Sequence, residues 1–176
     1  MELIQIDFFS PEGRCERLWA QTTSHETACV LSVPVWIYGI SRGTIVRYRR
    51  DDKRTFSSGV QRESDGGTIR FLASEGLTGK AVYLTRVVPT FQKQNLGVGP
   101  ATFLGPRFVA MNVHKKATWW PQIGSYLEKL SSDGIIETWE ASDPDQDADA
   151  PTTPSEDPER VFIHQLPIDN TDMSFI

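Results

Sequence analysis

Apolar and β-branched residues occur along the first third of the chain as short segments, each closed by a turn signal: Ser10-Pro11-Glu12-Gly13, Gly39, Gly43 and Asp51-Asp52. The spacing predicts strands over residues 3–8, 16–22, 27–33, 44–49 and 55–61. In the segment Ile45-Val46-Arg47-Tyr48-Arg49, Val46 and Tyr48 share one face while Arg47 and Arg49 share the other. That period of two belongs to a half-buried strand, with one face in the core and one in water. Pro34 cannot donate to a sheet ladder, so the run Val33-Pro34-Val35-Trp36-Ile37-Tyr38 is expected to leave its strand and turn at Gly39.

After Gly66-Gly67 the pattern changes. A strand is predicted over 68–73. Over 74–88, Leu77, Ala81, Leu84 and Val88 fall at helical spacing, although Gly79 and the β-branched residues also suit a strand; helix is favoured. Residues 92–106 contain Gly97, Gly99, Pro100, Gly105 and Pro106 and read as an irregular loop before a strand at 107–113. Thr118 can cap a helix with Pro121 in its first turn, Ile123, Tyr126, Leu127 and Leu130 on one face, and Gly134 as a left-handed stop. A closing strand follows at 135–140.

From 141 to 159 there are four prolines, no periodic apolar residues, and acids at Asp143, Asp145, Asp147 and Asp149. Such a segment buries too little to offset its ordering entropy, so disorder is expected. The apolar stretch from Val161 to Ile168 breaks this pattern and can dock on the body as an added strand. The expectation is therefore an α+β protein: a β-rich N-terminal half (1–66), then an α+β half (67–140) whose element order suits a ferredoxin-like split βαβ unit. An acidic linker (141–160) and a C-terminal apolar segment (161–176) complete it.

Charge sharpens this division. The net charge of −5 conceals a part up to Trp139 with 17 Lys/Arg against 13 Asp/Glu, and a part from Glu140 with one Arg against ten acids. A +4 body thus carries a −9 C-terminal part. The apolar run 33–38 falls short of the roughly 20 residues a membrane helix needs, and the N-terminus lacks a basic region followed by an apolar stretch. A cytoplasmic protein with reduced Cys15 and Cys29 is expected, although the two cysteines flank one predicted hairpin.

Candidate chemistry is sparse. His25, His114 and His164 are far apart, and neither CxxC nor HxxxH spacing occurs, so no metal or cofactor is predicted. A Gly-x-Ser-x-Gly elbow is also missing. Small buried cysteines explain Cys15 and Cys29 better than a thiol dyad with His25. Asn95-Leu96-Gly97-Val98-Gly99-Pro100 lacks the Gly-Lys-Ser/Thr ending of a phosphate loop.

Arg42, Arg47, Arg49, Arg50, Lys53 and Arg54 form a basic cluster that is either a wet strand face with its turn or, with Trp36 and Tyr38, a phosphate- and base-binding surface. Of Trp119 and Trp120 at the helix start, one ring is expected to pack and the other to be available at an interface.

Several stretches also resemble a bacterial family known only as domain of unknown function 4265. They are Glu16-Arg17-Leu18-Trp19, the segment Val33-Pro34-Val35-Trp36-Ile37-Tyr38-Gly39-Ile40-Ser41-Arg42-Gly43-Thr44-Ile45-Val46, Gly67-Thr68-Ile69-Arg70-Phe71, and Phe108-Val109-Ala110-Met111-Asn112-Val113. The helix end at 127–134 extends the likeness. Thr44 departs from the usual Gly-Asp-Val pattern, and His114 stands where proline is expected. The resemblance implies a β-rich half followed by an α+β half and brings no catalytic residues.

The functional expectation is a non-enzymatic protein-binding protein, with immunity against a cognate bacterial toxin as the specific guess. The alternative is a nucleic-acid-binding or regulatory protein whose acidic tail covers its own basic face. The partner-binding candidates are Trp36, Tyr38, Arg47, Arg49, Arg50, Trp119, Trp120, Asp143, Asp145, Asp147 and Asp149.

Overall fold

The computed structural model describes residues 1–11, 13–114 and 120–142, together with the backbone of 162–164. Five strands, β1 (Leu3–Phe9), β2 (Cys15–Thr22), β3 (Thr27–Val30), β4 (Ile45–Arg50) and β5 (Thr55–Arg62), follow one another as an antiparallel meander. With five strands the last runs in the direction of the first, so the sheet closes through a parallel contact, Asp7 opposite Phe56. The result is a barrel-like sheet filled by Ile4, Ile6, Phe8, Leu18, Ala20, Ala28, Val30, Ile37, Ile40, Val46 and Tyr48. The alternation in β4 is as the sequence predicts: Val46 and Tyr48 are buried and Arg47 and Arg49 exposed.

The second half is built on β6 (Gly66–Ala73), β7 (Val98–Leu104), β8 (Phe108–His114) and β9 (Ile136–Ser142), in the order β7-β8-β6-β9 with every neighbouring pair antiparallel. Helical crossovers join β6 to β7 and β8 to β9. The first consists of α1 (Gly79–Val82), a π-helical turn (Tyr83–Val87) and α2 (Val88–Lys93); the second is α3 (Trp120–Ser132). Both lie on one face of the sheet, where Ile69, Phe71, Val109, Met111 and Val113 pack against Val82, Val87, Phe91, Ile123, Leu127 and Leu130. Among the described residues the molecule is thus mixed α+β and strand-rich.

Several boundaries differ from the sequence reading. The predicted loop at 92–106 contains the end of α2 and all of β7. Gly97 and Gly99 permit it, because a Cβ at either would lie 2.7 Å from the His114 ring or 2.8 Å from the Asn112 amide nitrogen. Pro100 is tolerated because β7 is an edge strand. The helix in 74–88 starts only at Gly79, capped by Thr78, whose hydroxyl accepts from the Ala81 N–H. Its π turn precedes Pro89, which has no N–H to continue the α ladder.

Gly66 and Gly67 open β6 instead of breaking the chain. A Cβ on Gly67 would sit 2.6 Å from the Trp120 ring, so that position admits no side chain. Gly134 has the left-handed backbone expected of a helix stop, φ 68°. Ala141 and Ser142, assigned to the acidic linker, instead complete β9; the remainder of that linker lies outside the described residues.

Strand β10 (Phe162–His164) pairs in parallel with Cys15, Glu16 and Arg17 of β2. It occupies the edge of β2 that β3, paired only with Ala20–Thr22, leaves open.

Candidate functional site

The two sheets meet along a seam made by the loop after β3. Val33 and Val35 pack with Ala110, and the Trp36 ring stacks on Phe108 with centroids 5.6 Å apart. The strand ends at Val30 and Pro34 has no N–H with which to resume a ladder, so the amides and carbonyls that follow need other partners. Two buried charged side chains supply them. Glu16, on the inner face of β2, accepts N–H donations from Val35 at 2.8 Å, Trp36 at 2.8 Å and Ile37 at 3.1 Å. Arg70, on β6, donates from Nε to the Val35 carbonyl at 2.6 Å and from Nη2 to those of Ile37 at 2.9 Å and Pro34 at 3.4 Å.

Glu16 and Arg70 are 0% and 1% exposed, so each charge depends on these bonds and on the other's field. Burial pushes the Glu16 carboxyl above its ordinary pKa, opposed by the three N–H donors and by Arg70.

Tyr38 lies at the mouth of this seam. Its ring covers the Arg70 guanidinium, whose Cζ is 4.4 Å from the centroid, and its hydroxyl donates to Glu140 of β9. Glu140 is also 3.8 Å from Arg70 Nε. Burial and the hydrogen bond to Glu140 push the Tyr38 phenol up to about 12. Arg14 stands over the Trp36 ring at 5.6 Å. Glu16, Arg70, Tyr38 and Glu140 thus make one continuous clamp, which joins the barrel-like sheet to the second sheet through backbone groups of 34–37.

A second charged pair, half-buried Arg17 with buried Asp7, lies on β1 and β2. Arg17 donates to both Asp7 carboxylate oxygens, at 2.5 Å and 3.0 Å, and that hydrogen bonding raises the Arg17 pKa. Cys15, directly adjacent, is buried; desolvation and then the Asp7 charge push its thiol up to about 12. Both cysteines are free, and Cys15 has the environment of a structural thiol. Among the described residues no group of three His, Cys, Asp or Glu side chains could hold a metal ion.

Among the described residues, the predicted partner residues lie on separate parts of the structure. Trp36 and Tyr38 are engaged in the seam. Arg47 and Arg49 are exposed on the outer face of β4 and make no ion pair among the described residues, whereas Arg50 lies 3.2 Å from Glu2 and over the Tyr48 ring. Arg49 and Arg50 line a shallow groove of about 400 Å³ with His25, Glu26 and Tyr48. Trp120 packs on Gly67 and borders the helix-side core. Trp119, Asp143, Asp145, Asp147 and Asp149 lie outside the described residues.

The sequence reading missed Glu16 and Arg70 as a pair. A charged residue in an otherwise alternating strand was the available signal, but the backbone groups they hold are 19 to 36 residues away.

A family model described as "Domain of unknown function (DUF4265)" matches residues 16–138, a span that contains Glu16, the 33–38 loop and Arg70. No curated protein matches. A solved structure, described as a novel crystal structure of a hypothetical protein from Neisseria gonorrhoeae, is similar with a TM-score of 0.60 at 13% identity; the match covers 79% of this chain and 92% of that one. The likeness establishes a shared fold.

Proposed function

We propose, from the premise that this chain belongs to the DUF4265 family, that it works by binding another protein and not by catalysis, with neutralisation of a cognate bacterial toxin as its specific role. The observation that carries this reading is the separation of charge, a +4 body and a −9 C-terminal part. Complementary charge of this strength selects partners and speeds their encounter. The clamp residues support the same reading from the other side, since Glu16 and Arg70 are occupied with loop backbone. A cytoplasmic setting belongs to the proposal and is supported by the two free thiols. The order β7-β8-β6-β9 with two helical crossovers supports reading residues 67–140 as a ferredoxin-like unit.

Calorimetric titration with the protein encoded by the adjacent gene tests the reading: saturable binding supports it, and absence of heat removes its support. Exposed Arg47 and Arg49 favour a second reading, a nucleic-acid-binding protein whose acidic segment competes for its own basic face. Replacing Asp143, Asp145, Asp147 and Asp149 by Asn, with β10 retained, should then release RNA binding that falls steeply with salt. Unchanged, negligible RNA binding opposes this second reading.

A further inference from the structure

From Gly76 to Leu127 the chain contains no Asp or Glu and six Lys/Arg. Three of the six, Lys80, Arg86 and Lys93, are exposed on the helical crossover between β6 and β7 and pair with no acid among the described residues. The same surface bears large apolar side chains. Leu84 is 51% exposed, and Leu77, Phe103 and Leu104 are each 38% exposed.

Contacts draw these groups together. The Phe103 ring meets Tyr83, the neighbour of Leu84, edge-on at 5.7 Å, and the Gly79 N–H donates to the Pro106 carbonyl at 2.8 Å, which holds the β7–β8 hairpin against the start of α1. Lys80 falls four residues before Leu84 along the helical crossover, a spacing that brings the two side chains to neighbouring positions. Beside them β7 has β8 on one edge and, among the described residues, no strand on the other. Edge strands are ordinarily protected by charge, proline or a bulge; Val98–Leu104 carries no charge, and its proline and register irregularity lie in the Val98–Ala101 stretch, which leaves Thr102–Leu104 without such protection.

We propose that β7 and the adjoining crossover form a docking surface for an extended, acidic, apolar-bearing segment of a partner protein, which adds as a strand to β7. Apolar side chains of that strand cover Leu84 and Phe103, and its acids face Lys80 and Arg86. Charge complementarity identifies the occupant. A second copy would bring Lys80, Arg86 and Lys93 against their own kind. Nucleic acid would satisfy the cations but leave the leucines uncovered, and an anionic membrane would cover the leucines but give the β7 backbone no hydrogen-bond partners. An acidic strand meets all three demands. The inference rests on the protein-binding reading and assigns it a surface, opposite in chemistry to the acidic C-terminal part.

The test is titration of the full chain with a synthetic twelve-residue peptide alternating Glu with Val and Phe, followed by backbone amide chemical shifts. Expected are saturable shifts confined to β7, α1 and the π turn, loss of at least about tenfold in affinity in the K80E/L84E variant, and no binding of the same peptide with Lys for Glu. K80E/L84E replaces exposed groups; an unchanged amide spectrum outside the crossover establishes that it folds. Equal binding of the Lys peptide, unaltered affinity in K80E/L84E, or binding only to phosphatidylglycerol vesicles or an oligouridine would overturn the proposal. Because no natural partner is used, its failure leaves the adjacent-gene titration to decide the broader reading.

Discussion

Replacing Arg70 by Met would leave the Glu16 carboxylate buried without its counter-charge and three loop carbonyls without donors. Breaking one side of a buried pair costs about 3–5 kcal/mol, so urea unfolding of R70M should show a loss of that order. Lys at this position retains the charge but cannot fork between Val35 and Ile37, and should recover only part of the loss. Cys15, with its thiol pushed up to about 12, should resist alkylation in the native protein and react only on unfolding, after the half-buried Cys29.

The Tyr38 phenol is raised above its ordinary value of 10.0 to about 12. The unfolded chain therefore ionises first, and the group's contribution to stability, complete below pH 10, should disappear as the pH rises toward 12. Tyrosinate absorbance should show a late-titrating phenol that Y38F removes. At this scale the sequence exposed the alternation in β4 but not the clamp. Alternation is local, while Glu16 and Arg70 acquire their roles only when strands from the two sheets meet the same loop.

Elements show where local signals suffice and where they mislead. Helix α3 was readable because its apolar spacing and Gly134 stop agree, and Ile123, Leu127 and Leu130 are buried as that spacing requires. Strand β7 was hidden by its glycines and proline. Those residues, which signal loops in isolation, are here the ones that an edge strand pressed against Asn112 and His114 can accept.

The π turn adds a contact that no periodicity could indicate: the Tyr126 hydroxyl donates to the Arg86 carbonyl at 2.8 Å and lies 3.1 Å from the Thr90 hydroxyl. Y126F should cost about 0.5–1.5 kcal/mol, measurable by chemical denaturation. Gly67→Ala places a methyl against the Trp120 ring and should cost about 1–3 kcal/mol through overpacking.

For the whole molecule, organisation by charge was visible in the sequence as a basic body and an acidic C-terminal part. The acid-free span 76–127 was overlooked because its cations are dispersed along the chain. No helix among the described residues is long and apolar enough to cross a membrane. Protein binding, through the acidic C-terminal part or through β7, is the activity we propose. Calorimetric titration of the full chain with the adjacent gene's product tests that claim most directly. The account predicts saturable binding that weakens as salt screens the charges; no heat at any salt concentration would contradict it.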